Sequence, residues 1–491
     1  LQDNISEKYQ PVIGLEIHAQ VISKTKIFCP CPSEHNAEPN TNVCPVCLGH
    51  PGTLPVLNII PVKSCIKTGL AMHCKINRKT SFARKNYFYP DLPKGYQITQ
   101  YESPLCSNGY IEIQSKNIPS KKVRIKRIHL EEDAGKSIHD LSDSDTFLDF
   151  NRCGIPLIEI VTEPDLNSPE EVSLFLHKIK QTLEYLEVSD CNMEEGSLRC
   201  DVNISVKFKN ENTISTKTEI KNLNSFKNIN DAIESEIIRQ TGILENGGKI
   251  SFNTLNYDVK EKITVPLRSK EAENDYRYFS EPDLVYLKIS DAQIEELKNS
   301  LPELPEEKFL RFKKEYSLND YESETLTCDK NIAEYFERTV NNIKIKNYTS
   351  FKLAGNWIIT EVLGILNEKN ISIKNFPVSP EFLAKLLNPL IEGRINRTTA
   401  KQIFYSMINE LGKFSDIEAI ILEKDLLQVS DKTEIDKLIK KILDENPGEY
   451  LLLKSGKTKL INFFTGKIMK QIKGKANPKI VTELLNKYIK D

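Results

Sequence analysis

Two spacings of apolar residues divide the chain. From the start to about residue 290, short runs alternate apolar and polar side chains and are separated by Gly, Pro and Asn turns, the pattern of half-buried strands. From about residue 292, apolar positions recur at helical spacing among Lys, Glu and Leu. Pro302 and Pro305 punctuate the change, and Asn446-Pro447-Gly448 marks a second break. The pattern predicts an α+β protein, with an N-terminal mixed or antiparallel sheet followed by helices.

The strands carry the candidate chemistry. In Gly14–Gln20, Leu15 and Ile17 point one way while Glu16, His18 and Gln20 point the other. A carboxylate and an imidazole two residues apart on one face can share a metal ion, although one such stretch alone reads as a solvated strand face. Later strands repeat the design. His129 and Glu131 share a face in Arg127–Lys136, and Glu132, Asp133 and Lys136 follow around the Gly135 turn. Glu159 interrupts the apolar run Ile155–Val161, where an unpaired buried carboxylate is costly. Leu198–Val206 sets Arg199, Asp201, Asn203 and Ser205 against a fully apolar opposite face, and Thr218–Ser225 adds Glu219 and Lys221 on one face. Together Glu16, His18, Glu131, Glu159, Asp201 and Glu219 describe a concave sheet with an acidic floor. Oxygen-rich sites with a histidine suit Mg²⁺ or Mn²⁺ bound with a nucleoside triphosphate. Glu16, His18, Glu131, Glu159 and Glu219 are expected to converge on one or two Mg²⁺ ions. Lys136, Arg152, Arg199 and Lys221 are candidate phosphate ligands beside them.

Cys29-Pro30-Cys31 and Cys44-Pro45-Val46-Cys47 are separated by a twelve-residue loop rich in Pro and Asn. C-x-C followed by C-x-x-C lets four thiolates converge on a structural zinc, whose filled shell staples a fold rather than catalysing. His35, inside the loop, could replace one thiolate. Free or buried thiols, or a redox pair at Cys44 and Cys47, are the alternatives. Two loops mix aromatic and basic residues: Ser81–Gln97, with Arg84, Lys85 and Lys94, and Leu267–Phe279, with Arg268 and Arg277. Either could stack a base and pair with phosphate, or be a packed surface loop.

Composition narrows the picture. At 491 residues, the length prior is roughly three domains. A net charge of -2 from 67 basic and 69 acidic residues names no partner globally. Locally, beyond about residue 450, ten lysines from Lys454 to Lys490 face only Glu483 and Asp491, an excess that attracts phosphate backbone. Eleven cysteines and no secretory segment near Leu1 favour a reducing compartment. No run approaches the ~20 apolar residues of a membrane span. Ser455-Gly456-Lys457-Thr458 ends like a P-loop, but Leu451 stands where its first Gly belongs, and no G-x-G-x-x-G precedes a helix. No G-x-S-x-G elbow or Gly/Ser-rich amidase segment is present, so a glutamine-hydrolysing centre is not evident in this chain.

The motifs at Gly14–Gln20, Pro39-Asn40 with Val43–Gly49, Phe82–Gln97, His129–Lys136, Asn151–Asp165, Arg199–Asn203, Arg268–Asp283 and Gly474–Pro478 resemble the B subunit family of the tRNA-dependent amidotransferases, the GatB type, over nearly the whole chain. The departures are small; His50 follows Gly49 where a Leu is usual. The resemblance implies a cradle domain at 1–293 with a zinc insert at 29–47, a helical domain at 294–405 and a tRNA-binding tail at 406–491. It implies ATP- and Mg²⁺-dependent activation of the side-chain carboxylate of Glu on mischarged tRNA(Gln), or of Asp on tRNA(Asn), followed by amidation with ammonia. The implied partners are a glutaminase A subunit, a small C subunit and the mischarged tRNA, with no membrane. The compartment would be the cytoplasm, or an organelle matrix or stroma if Leu1 follows a removed transit peptide. A zinc-stapled tRNA-binding scaffold without catalysis is the competing reading; six acids on the floor would repel phosphate unless a metal intervenes.

Overall fold

Alternation becomes a sheet with one greasy and one polar face. The computed structural model describes residues 8–34, 37–139, 141–142, 144–209, 214–269, 276–409, 417–423, 432–455, 457, 460–471 and 478–490. Nine strands form the main sheet: β1 (Tyr9–Gln20), β2 (Lys75–Ile76), β3 (Cys106–Ile113), β4 (Lys121–Glu132), β5 (Pro156–Thr162), β6 (Leu198–Phe208), β7 (Thr218–Leu223), β8 (Asn253–Asp258) and β9 (Ile263–Ser269). Their order is β9-β8-β7-β6-β1-β5-β4-β3-β2. Every pair is antiparallel except β7 with β8. A parallel pair needs a crossover, and helix α3 (Phe226–Glu245) supplies it. The sheet is therefore mixed, one of the two arrangements the strand patterns allow.

The apolar face carries Ile13, Leu15 and Ile17 of β1, Ile158 and Ile160 of β5, Ile128 and Leu130 of β4, and Val202 and Ile204 of β6, all 0–1% exposed. Three helices cover it: α1 (Ile59–Ala71), α2 (Pro169–Tyr185) and α3. The sequence pattern makes these helices easy to pass over among the strands, yet each carries its own start signal. Asn58 accepts from the Ile60 N–H, Ser168 from Glu171 and Ser225 from Asn228. In α2, Pro169 follows the cap, and Val172, Phe175, Leu176, Ile179 and Leu183 make one buried stripe. In α3 the same stripe reads Ile229, Ala232, Ile233, Glu236 and Gln240. The two polar members are fully buried, and Glu236 is held by Thr218, Thr264, Gln240 and Arg239.

One detail fixes the sheet where chemistry sits. The β5–β4 register shifts between Val161 and Thr162, and there the Leu15 N–H donates to the Thr162 hydroxyl at 2.9 Å. Over the opposite, polar face a three-stranded sheet joins Ala83–Asn86, Tyr96–Thr99 and Phe279–Ser280.

By its contacts the chain divides into two compact units, Leu1–Pro305 and Glu306–Asp491. Helix Asp291–Asn299 belongs to the first and buries Leu297 in its core. Taken by itself, the second unit is helical where it is described. One of its cores gathers Phe312, Phe336, Trp357, Leu387 and Phe404, and another gathers Ile435, Ile439, Phe464 and Leu485. A π-turn at Ile358–Val362 brings the buried Glu361 to Lys401.

Candidate functional site

Pairing places the polar residues of four distant stretches side by side. His18 on β1 lies opposite Glu159 on β5 and Arg199 on β6, and Glu159 lies opposite His129 on β4. Directly paired residues project to the same face. His18 Nε2 is 3.5 Å from Glu131 and 3.7 Å from Glu159, and His129 Nε2 is 3.1 Å from Glu159. One ligand atom from each of His18, Glu131 and Glu159 lies within 4.8 Å of the others, so these three could hold one cation. Two carboxylate oxygens and an imidazole suit a hard divalent ion, and three protein ligands leave positions for substrate oxygens.

The carboxylates are not equivalent. Burial pushes the Glu131 pKa up, and the Glu159 charge pushes it further. Burial acts on Glu159 in the same direction, but the imidazoles of His129 and His18 and the Lys85 ammonium outweigh it and hold Glu159 below the usual carboxylate range. The Thr99 hydroxyl donates to Glu131 at 3.2 Å. Lys85 reaches over this group from the small sheet, 4.9 Å from the Tyr276 ring centroid and 5.7 Å from that of Tyr87. Burial works against its charge, but Glu131 and Glu159 raise its pKa above the ordinary lysine value.

The other floor residues form a second group on the same face rather than part of one cluster. Glu16 lies opposite Asp201 and accepts from Asn203 at 3.0 Å. Lys221 bridges Asp201 at 2.8 Å and Glu219 at 3.1 Å, and Glu219 also accepts from Thr254 at 3.0 Å. Glu219 is separated from β1 by β6, so it does not share ligands with His18 among the described residues. The expected five-residue convergence thus resolves into a three-residue centre and a neighbouring acid–lysine pair set. His129 belongs to the first; alternation places it on that face, and only the register shows that it reaches Glu159.

The basic candidates part company similarly. Arg199 and Arg152 lie together around the Asp133 carboxylate, 2.6 Å and 3.7 Å away. Lys136 is exposed at the start of the short strand Lys136–Ile138. Arg84 does not face an open anion site. Its guanidinium is committed to Glu281 at 2.7 and 2.8 Å and to Asp283 at 3.2 Å, with the Tyr96 ring beneath it. Two acids, the nearer 197 residues away in sequence, make it a strap on the Phe279–Ser280 strand. Arg277 is exposed beside that strand, where its carbonyl accepts from Asn86. Arg268 faces Thr254 in the β9–β8 register, and its side chain lies outside the described residues, as do residues 270–275.

The four knuckle cysteines converge. One sulfur from each of Cys29, Cys31, Cys44 and Cys47 lies within 4.8 Å of the others, and the Cys44 and Cys47 sulfurs are 3.9 Å apart. Tetrahedral Zn–S bonds require about 3.8 Å between sulfurs, so the donor set fits zinc. The Cys44 N–H and the Lys26 ammonium approach Cys47 Sγ at 3.1 and 3.7 Å. A hydrogen bond from Cys29, opposed by burial and helped by these donors, brings the Cys47 thiol down to about 5. Burial and the Cys44 thiol push Cys31 up to about 11. His35 lies outside the described residues. In the basic tail the same holds for Lys459, Lys473 and Lys475, and for the side chains of Lys479 and Lys490. Among the described residues, no helix is long and apolar enough to cross a membrane.

Residues 11–295 match the family described as GatB/GatE catalytic domain, and residues 334–489 match the GatB domain. The chain is similar along its length to proteins named as the B subunit of aspartyl/glutamyl-tRNA(Asn/Gln) amidotransferase. It is 51% identical over 484 residues to that of Thermodesulfovibrio yellowstonii, covering 99% of this chain and 100% of the relative. It is 48% identical over 481 residues to that of Chlorobium phaeobacteroides, covering 98% and 99%. It is 48% identical over 483 residues to that of Persephonella marina, covering 98% and 100%.

Proposed function

The chain belongs to the GatB family, and from that premise we propose that it is the B subunit of a glutamine-dependent amidotransferase acting on mischarged tRNA. The reaction has two steps. The side-chain carboxylate of Glu on tRNA(Gln), or of Asp on tRNA(Asn), attacks the γ-phosphorus of ATP, releasing ADP and forming an acyl phosphate. Ammonia then attacks the acyl carbon, phosphate leaves, and the amide remains after loss of a proton. A carboxylate is a poor acyl donor to ammonia, and phosphorylation supplies the leaving group.

The observation that carries the proposal is the convergence of His18, Glu131 and Glu159 on the polar sheet face. Mg²⁺ held by these residues would supply charge neutralisation at the transferring phosphoryl. Lys85 and Arg199 flank that centre and orient the anion. Glu16, Asp201, Glu219 and Lys221 form the adjoining floor and set the field around the aminoacyl end. Thr99 and His129 hold Glu131 and Glu159 in place by hydrogen bonds. The four-cysteine knuckle holds structural zinc. The cradle part runs to about residue 305 and includes helix Asp291–Asn299, the helical and tail parts divide near residue 405, and the lysine-rich tail takes the tRNA backbone. Ammonia comes from a partner glutaminase A subunit, and a small C subunit completes the assembly.

The test is amide formation on Glu-tRNA(Gln) and Asp-tRNA(Asn), separately, with the partner subunits and ATP present. ATP cleavage that requires the mischarged tRNA supports the proposal. Tight tRNA binding without ATP cleavage in an assembly that still hydrolyses glutamine would instead establish the scaffold reading.

A further inference from the structure

Asp133 stands at a junction that no catalytic step above uses. It is 4% exposed and closes the end of β4. Its Oδ2 accepts from Gln20 at 3.0 Å and from Arg199 Nη2 at 2.6 Å, with Arg152 Nε 3.7 Å away. Its Oδ1 accepts from the Ala134 N–H at 2.9 Å. Arg152 is also tied to the Ala134 and Gly135 carbonyls, at 3.0 and 2.6 Å. Arg199 is held less fully, and its buried Nε has no hydrogen-bond partner among the described residues. Two guanidiniums from separate elements would repel one another, and one carboxylate offsets only one of their charges. Both arginine side chains are about a third exposed, and Arg199 lies beside His18 across the β1–β6 register, with the Glu131 and Asp201 charges also acting on it.

We propose that Asp133 is a positioning residue that presents Arg199, with Arg152 as its anchored neighbour, to a phosphate of the bound nucleotide. The inference rests on the reading that this sheet face binds ATP. A planar guanidinium gains its advantage over an ammonium only when its plane is fixed. Asp133 fixes it from behind, leaving the exposed part of the guanidinium to meet an anionic acceptor.

The experiment is equilibrium binding of Mg·ATP to the full chain in its complex, with thermal unfolding in parallel. Asp133→Asn keeps the hydrogen-bonding shape and removes the charge. It should weaken ATP binding on the order of tenfold, raising KM for ATP more than it lowers kcat. In an Arg199→Met background the same change should have little further effect, because the residue acts through Arg199. Normal ATP affinity in Asp133→Asn, alongside weakened affinity in Arg199→Met, overturns the inference and leaves ATP binding at this face intact. Normal affinity in Arg199→Met overturns both. If Asp133→Asn does not fold, Asp133→Glu carries the test: it keeps the buried charge balance but displaces the guanidinium, and unchanged ATP affinity there is the overturning result.

Discussion

Replacing Lys94 by Met should destabilise the N-terminal unit by about 3–5 kcal/mol, the usual cost of leaving one member of a buried ion pair alone. The Lys94 ammonium pairs with Glu132, and the two side chains are only 9% and 4% exposed. The stem of Lys94 runs directly under the cysteine knuckle: a Cβ added at Gly49 would collide with Lys94 Cγ. Met keeps that apolar stem, so the contact with Gly49 survives and the loss is electrostatic. Among the described residues the Glu132 carboxylate would retain one hydrogen-bond donor, the Ile98 N–H at 2.8 Å. A single neutral donor does not replace an ammonium for a charge taken out of water. Adding Glu132→Leu removes the orphaned charge, and the double variant should recover most of the loss.

The assay has to report on the right unit. The chain has one tryptophan, Trp357, and it lies in the second unit, so its fluorescence is blind to this change. Denaturant unfolding followed by hydrogen exchange at β4 amides reads the first unit directly. A loss below about 1 kcal/mol in Lys94→Met would place the pair among weak surface bridges and refute the reasoning. So would a double variant as unstable as the single one.

Three further outcomes are expected. Serine at any one of Cys29, Cys31, Cys44 or Cys47 should abolish stoichiometric zinc in metal analysis and lower the unfolding midpoint of the first unit, since binding is coupled to folding; a zinc-free, fully stable wild-type preparation contradicts this. The raised pKa of Glu131 means the folded state favours its proton, so its contribution is favourable at low pH and is lost as pH rises past the ordinary carboxylate value. In Mg²⁺-free buffer, Glu131→Gln should therefore unfold at a higher temperature than the parent at neutral pH, with the difference closing below about pH 4; a pH-independent difference contradicts it. Removing the chain beyond about residue 450, which takes away Lys454, Lys457, Lys467, Lys470 and Lys487, should weaken tRNA binding and flatten its dependence on salt; an unchanged affinity across salt concentrations contradicts that.

The faces of the strands were legible because the period of two is local. Leu15 against Glu16 and His18, Val202 against Asp201, and Ile128 against His129 all fall on the sides that alternation predicts. The knuckle was legible because its four ligands lie within one short segment. What alternation cannot contain is which strands become neighbours. β1 is flanked by β5 and β6, which arrive more than a hundred residues later, and that placement decides that Glu159 joins His18 while Glu219 stays two strands away. Arg84 illustrates the same limit. Its basic, aromatic surroundings suggest an anion site, but Glu281 and Asp283 claim its guanidinium from the far end of the unit. Glu236 and Gln240 interrupt an apolar helical stripe, and Arg239 one turn on, together with the threonines of β7 and β9, explains why a carboxylate is tolerated there. Asp133 looks like one more acid at a glycine turn until Arg152, Arg199 and Gln20 close on it.

The most direct test of the metal centre is ATP cleavage driven by mischarged tRNA in the complete assembly, comparing Glu159→Gln with the parent. Glu159 touches both imidazoles of the centre, at 3.1 and 3.7 Å, and Gln keeps its volume while removing its charge. If His18, Glu131 and Glu159 hold the metal that serves phosphoryl transfer, the rate should fall at least about a hundredfold, a loss of roughly 3 kcal/mol of transition-state stabilisation, with mischarged tRNA still bound. A near-normal rate of tRNA-dependent ATP cleavage in Glu159→Gln would show that phosphoryl transfer does not occur at this centre.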